Sequence, residues 1–227
     1  ECGNVIRIIF GLVFFVVLLV VTSLTFGDIP VSWHAIAAVM SGSVDVNQQD
    51  VIIVLDLRLP RVLLAMLVGA ALAMAGTITI AVLRNPLAEP GVLGINSGAA
   101  AAAMAVIVLV QDPPPFLLQV AGFCGAAILA ATIFLFSWRG GTSAVRIILI
   151  EVELGALAGA ITTFLSAFGE IGDVQRAMIW LAGSVYDASM PKVRLLSLWL
   201  VLPIILTFLL SSELDLIRFG DNAARSL

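Results

Sequence analysis

Charged residues are unevenly spread along this 227-residue chain. Residues 8–27, 62–83, 90–111, 113–138 and 195–212 hold none, and residues 147–169 hold only Glu151 and Glu153. Each stretch is close to the ~20 residues that a helix needs to cross roughly 30 Å of hydrocarbon. The pattern predicts six spans. In "FGLVFFVVLLVVTSLTF" the apolar positions run on without the alternation of a membrane strand, which argues against a barrel. Backbone groups in lipid must be satisfied within their own segment, so the spans are helices. The expected fold is an all-α, polytopic transmembrane helical bundle, with residues 1–227 forming one membrane domain.

Composition strengthens this picture. The chain is 61% hydrophobic and 11% charged, with a mean hydropathy of +1.16. Soluble domains are nearer a quarter charged, and this much apolar surface could not be hidden in water. The two cysteines, Cys2 and Cys124, imply no disulfide framework or zinc site. No basic stripe suggests nucleic acid.

Between the second and third expected spans lies "RNPLAEPGVLGINSG", residues 84–98. Asn85-Pro86 and Glu89-Pro90 stop a helix, because proline disfavours helix at the residue before it. Gly94 and Gly98 allow close backbone approach. A tight turn needs one breaker; several breakers plus charge lean towards a shaped loop facing a cavity or a partner. With the N-terminus inside, this loop is cytoplasmic, as are Arg7, Arg139, Arg146, Arg218 and Arg225. Arg58, Arg61, Arg176, Lys192 and Arg194 then fall outside, a near-even split under the positive-inside rule. Small residues recur at helical spacing, as in "GALAG" (residues 155–159) and at Gly69, Ala73 and Gly76, and favour close helix packing in lipid.

"RLPRVLLAMLVGAALAMAGTITIAVLRNPLAEPGVLGINSGAA" (residues 58–100) closely resembles the FecCD-type permeases, the membrane subunits of bacterial ABC importers for iron-siderophores, haem and vitamin B12. "ILIEVELGALAGAITTFL", "MIWLAGSVYDASMPKV" and "DLIRFGDNAARSL" agree in the family's order, so the resemblance covers essentially the whole chain. It implies a multi-pass protein of the bacterial cytoplasmic membrane. It also implies a second permease subunit, alike or different, two ABC ATPase subunits, and an extracytoplasmic substrate-binding protein. Members of the family usually have ten transmembrane helices, so about four would follow Leu227, and the chain is expected to be a fragment or a truncated product.

The resemblance also suggests site residues. Arg58 and Arg61 match outer-face positions that receive acidic residues of the binding protein, a task suited to bidentate arginine; the alternative is interfacial snorkelling. Asn85 and Leu87 fall in a cytoplasmic gate, with "RGGTSAVR" (residues 139–146) as a second gate region. Gly183 sits where the chain bends at the outer end of the pathway. Phe219, Gly220, Asp221, Ala224 and Arg225 belong to the start of the ATPase-coupling segment, residues 211–227, unless this is an ordinary amphipathic tail.

Glu151 and Glu153 depart from the family's small or apolar residues. Ionisable groups within a span are costly and point to function. Two residues apart, they face nearly opposite sides of a helix, so only one can line the pore. Alternatively, both reach the cytoplasmic interface near Arg146. His34, the sole histidine, pairs with Trp33 as in an interfacial aromatic belt rather than a metal or haem site. Residues 30–40 are expected to form a short amphipathic helix on the outer surface.

The phosphate-loop pattern G-x-x-x-x-G-K-[ST] does not occur, and neither a catalytic set nor a cofactor is expected. The leading expectation is therefore a non-enzymatic permease subunit that a separate ATPase powers. A non-ABC carrier, with Glu151 and Glu153 as its titratable groups, and a non-functional half-permease are the alternatives.

Overall fold

The computed structural model describes residues 2–43, 47–89, 91, 94–138 and 144–214. Its elements are helical: α1 (Cys2–Thr25), α2 (Trp33–Ser41), α3 (Gln48–Val51), a π-helix (Ile52–Arg58), α4 (Leu59–Leu83), α5 (Ile95–Leu109), α6 (Pro115–Ser137), α7 (Ala144–Phe168), α8 (Ile171–Ala182) and α9 (Met190–Leu209). Among the described residues, five helical runs are long and apolar enough to cross a membrane: Gly3–Thr25, Gln48–Leu83, Phe116–Ser137, Val145–Phe168 and Met190–Leu209. The sixth expected span is α5, which has only 15 residues and reaches about 22 Å. Gly94, at φ 55°, starts it, and Val110 leaves it in an extended conformation. Such short helices are tolerated at membrane depth where protein rather than lipid surrounds the backbone.

The chain divides into two compact units. One comprises Glu1–Ala71 and Val185–Leu206. In it, Ser32 caps α2 by accepting from Ala35 N, and Gly42 closes the helix at φ 70°. Val31, Val39, Ile53 and Val54 form a small apolar core. The short helix expected over residues 30–40 is thus present as α2. The π-helix runs up to a proline. Pro60 cannot donate a backbone hydrogen bond, and just before it Leu59 N reaches back five residues to Val54 O.

The other unit comprises Leu72–Ser184 and Thr207–Leu227. Here α5 is the central helix, packed on α6, α7 and α8. Its alanine-rich face lets neighbours close in, burying Gly98, Ala103, Met104 and Ile107. The tightest crossing is Gly98 on Gly125 of α6. A Cβ at Gly98 would lie 2.5 Å from Gly125 O and 2.8 Å from Leu129 Cβ. Met104 and Ile107 also enclose Ala177, which anchors α8. Of the glycines in the expected small-residue faces, Gly155 packs near Ser97 and Gly94, whereas Gly69 and Gly159 have open space around them.

Candidate functional site

Arg58 and Arg61 stand three residues apart but meet different surroundings. Arg58, partly buried, donates through Nη1 to Leu24 O (2.6 Å) and Thr25 O (3.0 Å), and through Nη2 to Ile29 O. Helix ends leave carbonyls without partners, and a cation at the C-terminus complements the helix dipole. Arg58 therefore caps α1. Gly27 makes room, since a Cβ there would lie 2.6 Å from Arg58 Nη2. Arg61 is exposed. It donates to Tyr186 O at 3.1 Å, and its guanidinium lies 5.5 Å from the centre of the Tyr186 ring. Tyr186, the only tyrosine in the chain, was not legible as a site residue, because its partner is 125 positions away. Beside it, Lys192 donates to Asp187 O (2.6 Å) and to the Asp187 carboxylate, and Arg194 is exposed.

In the other unit, α4 ends at Leu83 and Arg84 follows it with φ 52°. Asn85 then builds the turn: its Oδ1 accepts from Leu87 N (3.0 Å) and its carbonyl accepts from Ala88 N (3.0 Å). Pro86 occupies the second turn position, where its fixed φ fits. Ala88 is buried, while Leu87 projects with 87% of its surface exposed.

The two carboxylates of α7 separate as their spacing requires. Glu151 is 1% exposed, and neither carboxylate oxygen has a hydrogen-bond partner among the described residues. Its Cγ packs on Gly94, the N-cap of α5, where an added Cβ would stand 3.0 Å from that atom. Gly94 thus needs to be glycine both for its φ and for this contact. Glu153 lies on the opposite, exposed face of α7. Gly183 ends α8 at φ 73°, ψ 138°, a conformation that an L side chain rarely adopts.

Near α8 lies a cavity of about 280 Å³ lined by Ile107, Asp112, Pro113, Leu118, Arg176 and Trp180. Arg176 is bonded to Asp173 and lies 3.7 Å from Asp112. The Asp173 hydrogen bond and charge, with Asp112 adding to them, hold its guanidinium above the usual arginine value. His34 stacks on Trp33, with ring centres 3.7 Å apart. Among the described residues, no three His, Cys, Asp or Glu side chains gather as a metal site would require. Phe219, Gly220, Asp221, Ala224 and Arg225 lie outside the described residues, as do residues 139–143 of the second gate region.

The model of the FecCD transport family matches residues 14–227. The achromobactin transport system permease protein of Dickeya dadantii is 37% identical over 214 residues, covering 93% of this chain and 60% of that protein. The Fe(3+)-citrate import system permease protein of Bacillus subtilis is 34% identical, with 97% and 66% covered. The hemin transport system permease protein of Yersinia pestis is 35% identical, with 76% and 53% covered. A solved inward-facing structure of a metal-chelate type ABC transporter superposes with a TM-score of 0.80 at 27% identity, covering 97% of this chain and 66% of that one. The chain thus spans less than two thirds of the length of these relatives. Permeases of this kind are not themselves catalytic, and these relatives together with the long apolar helices make this a multi-pass protein of the cytoplasmic membrane. With family model, relatives and fold in agreement, the chain belongs to the FecCD transport family.

Proposed function

We propose that this chain is part of the permease subunit of a binding-protein-dependent ABC importer that carries an iron-siderophore or related metal chelate, such as haem or a cobalamin, inward across the cytoplasmic membrane. The reading is carried by the likeness, over 97% of the chain, to a metal-chelate type ABC transporter. The permease names of the relatives support the same class of cargo.

In this reading two permease subunits enclose the pathway. A loaded binding protein docks through acidic side chains on the surface that bears Arg61. Arg58, three residues away, contributes mainly by holding the end of α1 beneath that surface. The Asn85–Leu87 turn is a gate element: a leucine 87% exposed supplies apolar surface that can close against a partner. A separate ATPase provides the energy through the segment containing Phe219, Gly220, Asp221, Ala224 and Arg225. Gly183 serves as the bend that ends α8.

The test is reconstitution of the full-length protein with its ATPase in proteoliposomes, with radio-iron chelates and the cognate binding protein supplied outside. Uptake that requires both ATP and the binding protein is expected. Uptake driven by an ion gradient without ATP would overturn the assignment.

A further inference from the structure

Glu153 is a carboxylate in a membrane-spanning helix, exposed at the surface of this chain. The span of α7 begins at Val145, so Glu153 lies about 12 Å along it. A glutamate is too short to reach back over that distance to the interface, as a lysine or arginine could. Intramembrane ionisable groups face a bundle interior or a water-filled cavity, and α5 lies on the other side of α7, where Glu151 is buried. The exposed surface of α7 is itself divided. Ala156, Ala160 and Thr163 continue the line of Glu153 at helical spacing, all exposed and all small. The adjoining line is Leu157, Ile161 and Phe164, which are exposed and bulky. The second line has the chemistry of a lipid contact. The first does not.

We infer that Glu153 faces the aqueous translocation pathway and selects cargo by charge, favouring neutral or cationic metal chelates over polyanionic ones such as citrate complexes. This inference rests on the importer reading and narrows its substrate class. A carboxylate on a low-dielectric wall repels each negative charge that passes it. Two such subunits, if alike, would present two.

The test uses the full-length protein assembled with its ATPase, with Cys2 and Cys124 replaced by serine and alanine. Ala156→Cys places a thiol three residues from Glu153, with the Cβ atoms about 5–6 Å apart. Its modification by a cationic and by an anionic methanethiosulfonate is timed, with Glu153 or with Glu153→Gln. Leu157→Cys is the lipid-facing control. Ala156→Cys should react and Leu157→Cys should not. The cation-to-anion rate ratio should fall about tenfold on Glu153→Gln, as expected for one charge acting across water at this range. A thiol at 156 that resists both reagents overturns the pathway placement, and an unchanged ratio overturns charge selection. ATP-driven uptake, measured on the same preparation, reports separately on the importer reading.

Discussion

Gly98→Ala is the sharpest test of the packing around α5. The added methyl would sit 2.5 Å from Gly125 O and 2.8 Å from Leu129 Cβ. The first of these is backbone and cannot swing aside, so α5 and α6 must separate. Overpacking of this kind costs about 1–3 kcal/mol. Alanine also gains up to about 1 kcal/mol over glycine in helix propensity, which would blur a single measurement. Gly159→Ala removes the ambiguity: it makes the same change in a long apolar helix with nothing within 4 Å of the new atom. The propensity terms cancel, and Gly98→Ala should be the less stable of the two by about 1–3 kcal/mol. Gly125→Ala should behave like Gly98→Ala. The double variant should lose less than the sum, since helices already forced apart accommodate the second methyl more cheaply. Equilibrium unfolding in mixed micelles, followed by Trp180 fluorescence with the other tryptophans replaced, reads all four. Equal stability of Gly98→Ala and Gly159→Ala would refute the close α5–α6 crossing.

Three further outcomes are expected. Arg58→Ala should cost about 1–2 kcal/mol of stability by uncapping α1, whereas Arg61→Glu should leave unfolding nearly unchanged and weaken binding-protein affinity in a pull-down or surface-resonance assay; the reverse pattern would contradict the division of roles. Glu151→Leu should be neutral or stabilising, because a buried carboxylate with no hydrogen-bond partner among the described residues is replaced by an apolar group of similar size; a loss above about 1 kcal/mol in the same unfolding assay would mean that the carboxylate has a partner. Gly94→Ala should destabilise by about 1–2 kcal/mol from its left-handed conformation alone, and more while the Glu151 side chain stays in place; pairing it with Glu151→Ala should recover part of the loss.

Much of the fold was legible because lipid imposes a simple rule. A charge-free run near twenty residues is a span, and residues 8–27, 62–83, 113–138, 147–169 and 195–212 each overlap an observed long helix. Residues 90–111 fit the same rule by composition, yet the helix is only Ile95–Leu109. Hydropathy records that a segment is apolar, not whether lipid or protein surrounds it. The candidate sites were legible to a similar depth. The breakers of residues 84–98 announced a shaped turn, and the structure supplies its hydrogen bonds at Asn85. Arg58 and Arg61 read as equals in "RLPR". Only the fold separates an arginine bonded to the end of α1 from one lying over a distant tyrosine.

By itself the sequence determined the class of protein, its family, the number of apolar stretches, and that Glu151 and Glu153 point to opposite sides of one helix. These follow from composition and from the 3.6-residue period, which are properties of neighbours in the chain. The tertiary structure decided which of the two is buried against Gly94, which glycines touch a second helix, and what each arginine is bonded to. Those depend on contacts between residues far apart in sequence, where the hydrophobic pattern is silent and only the packing of one helix on another sets the outcome.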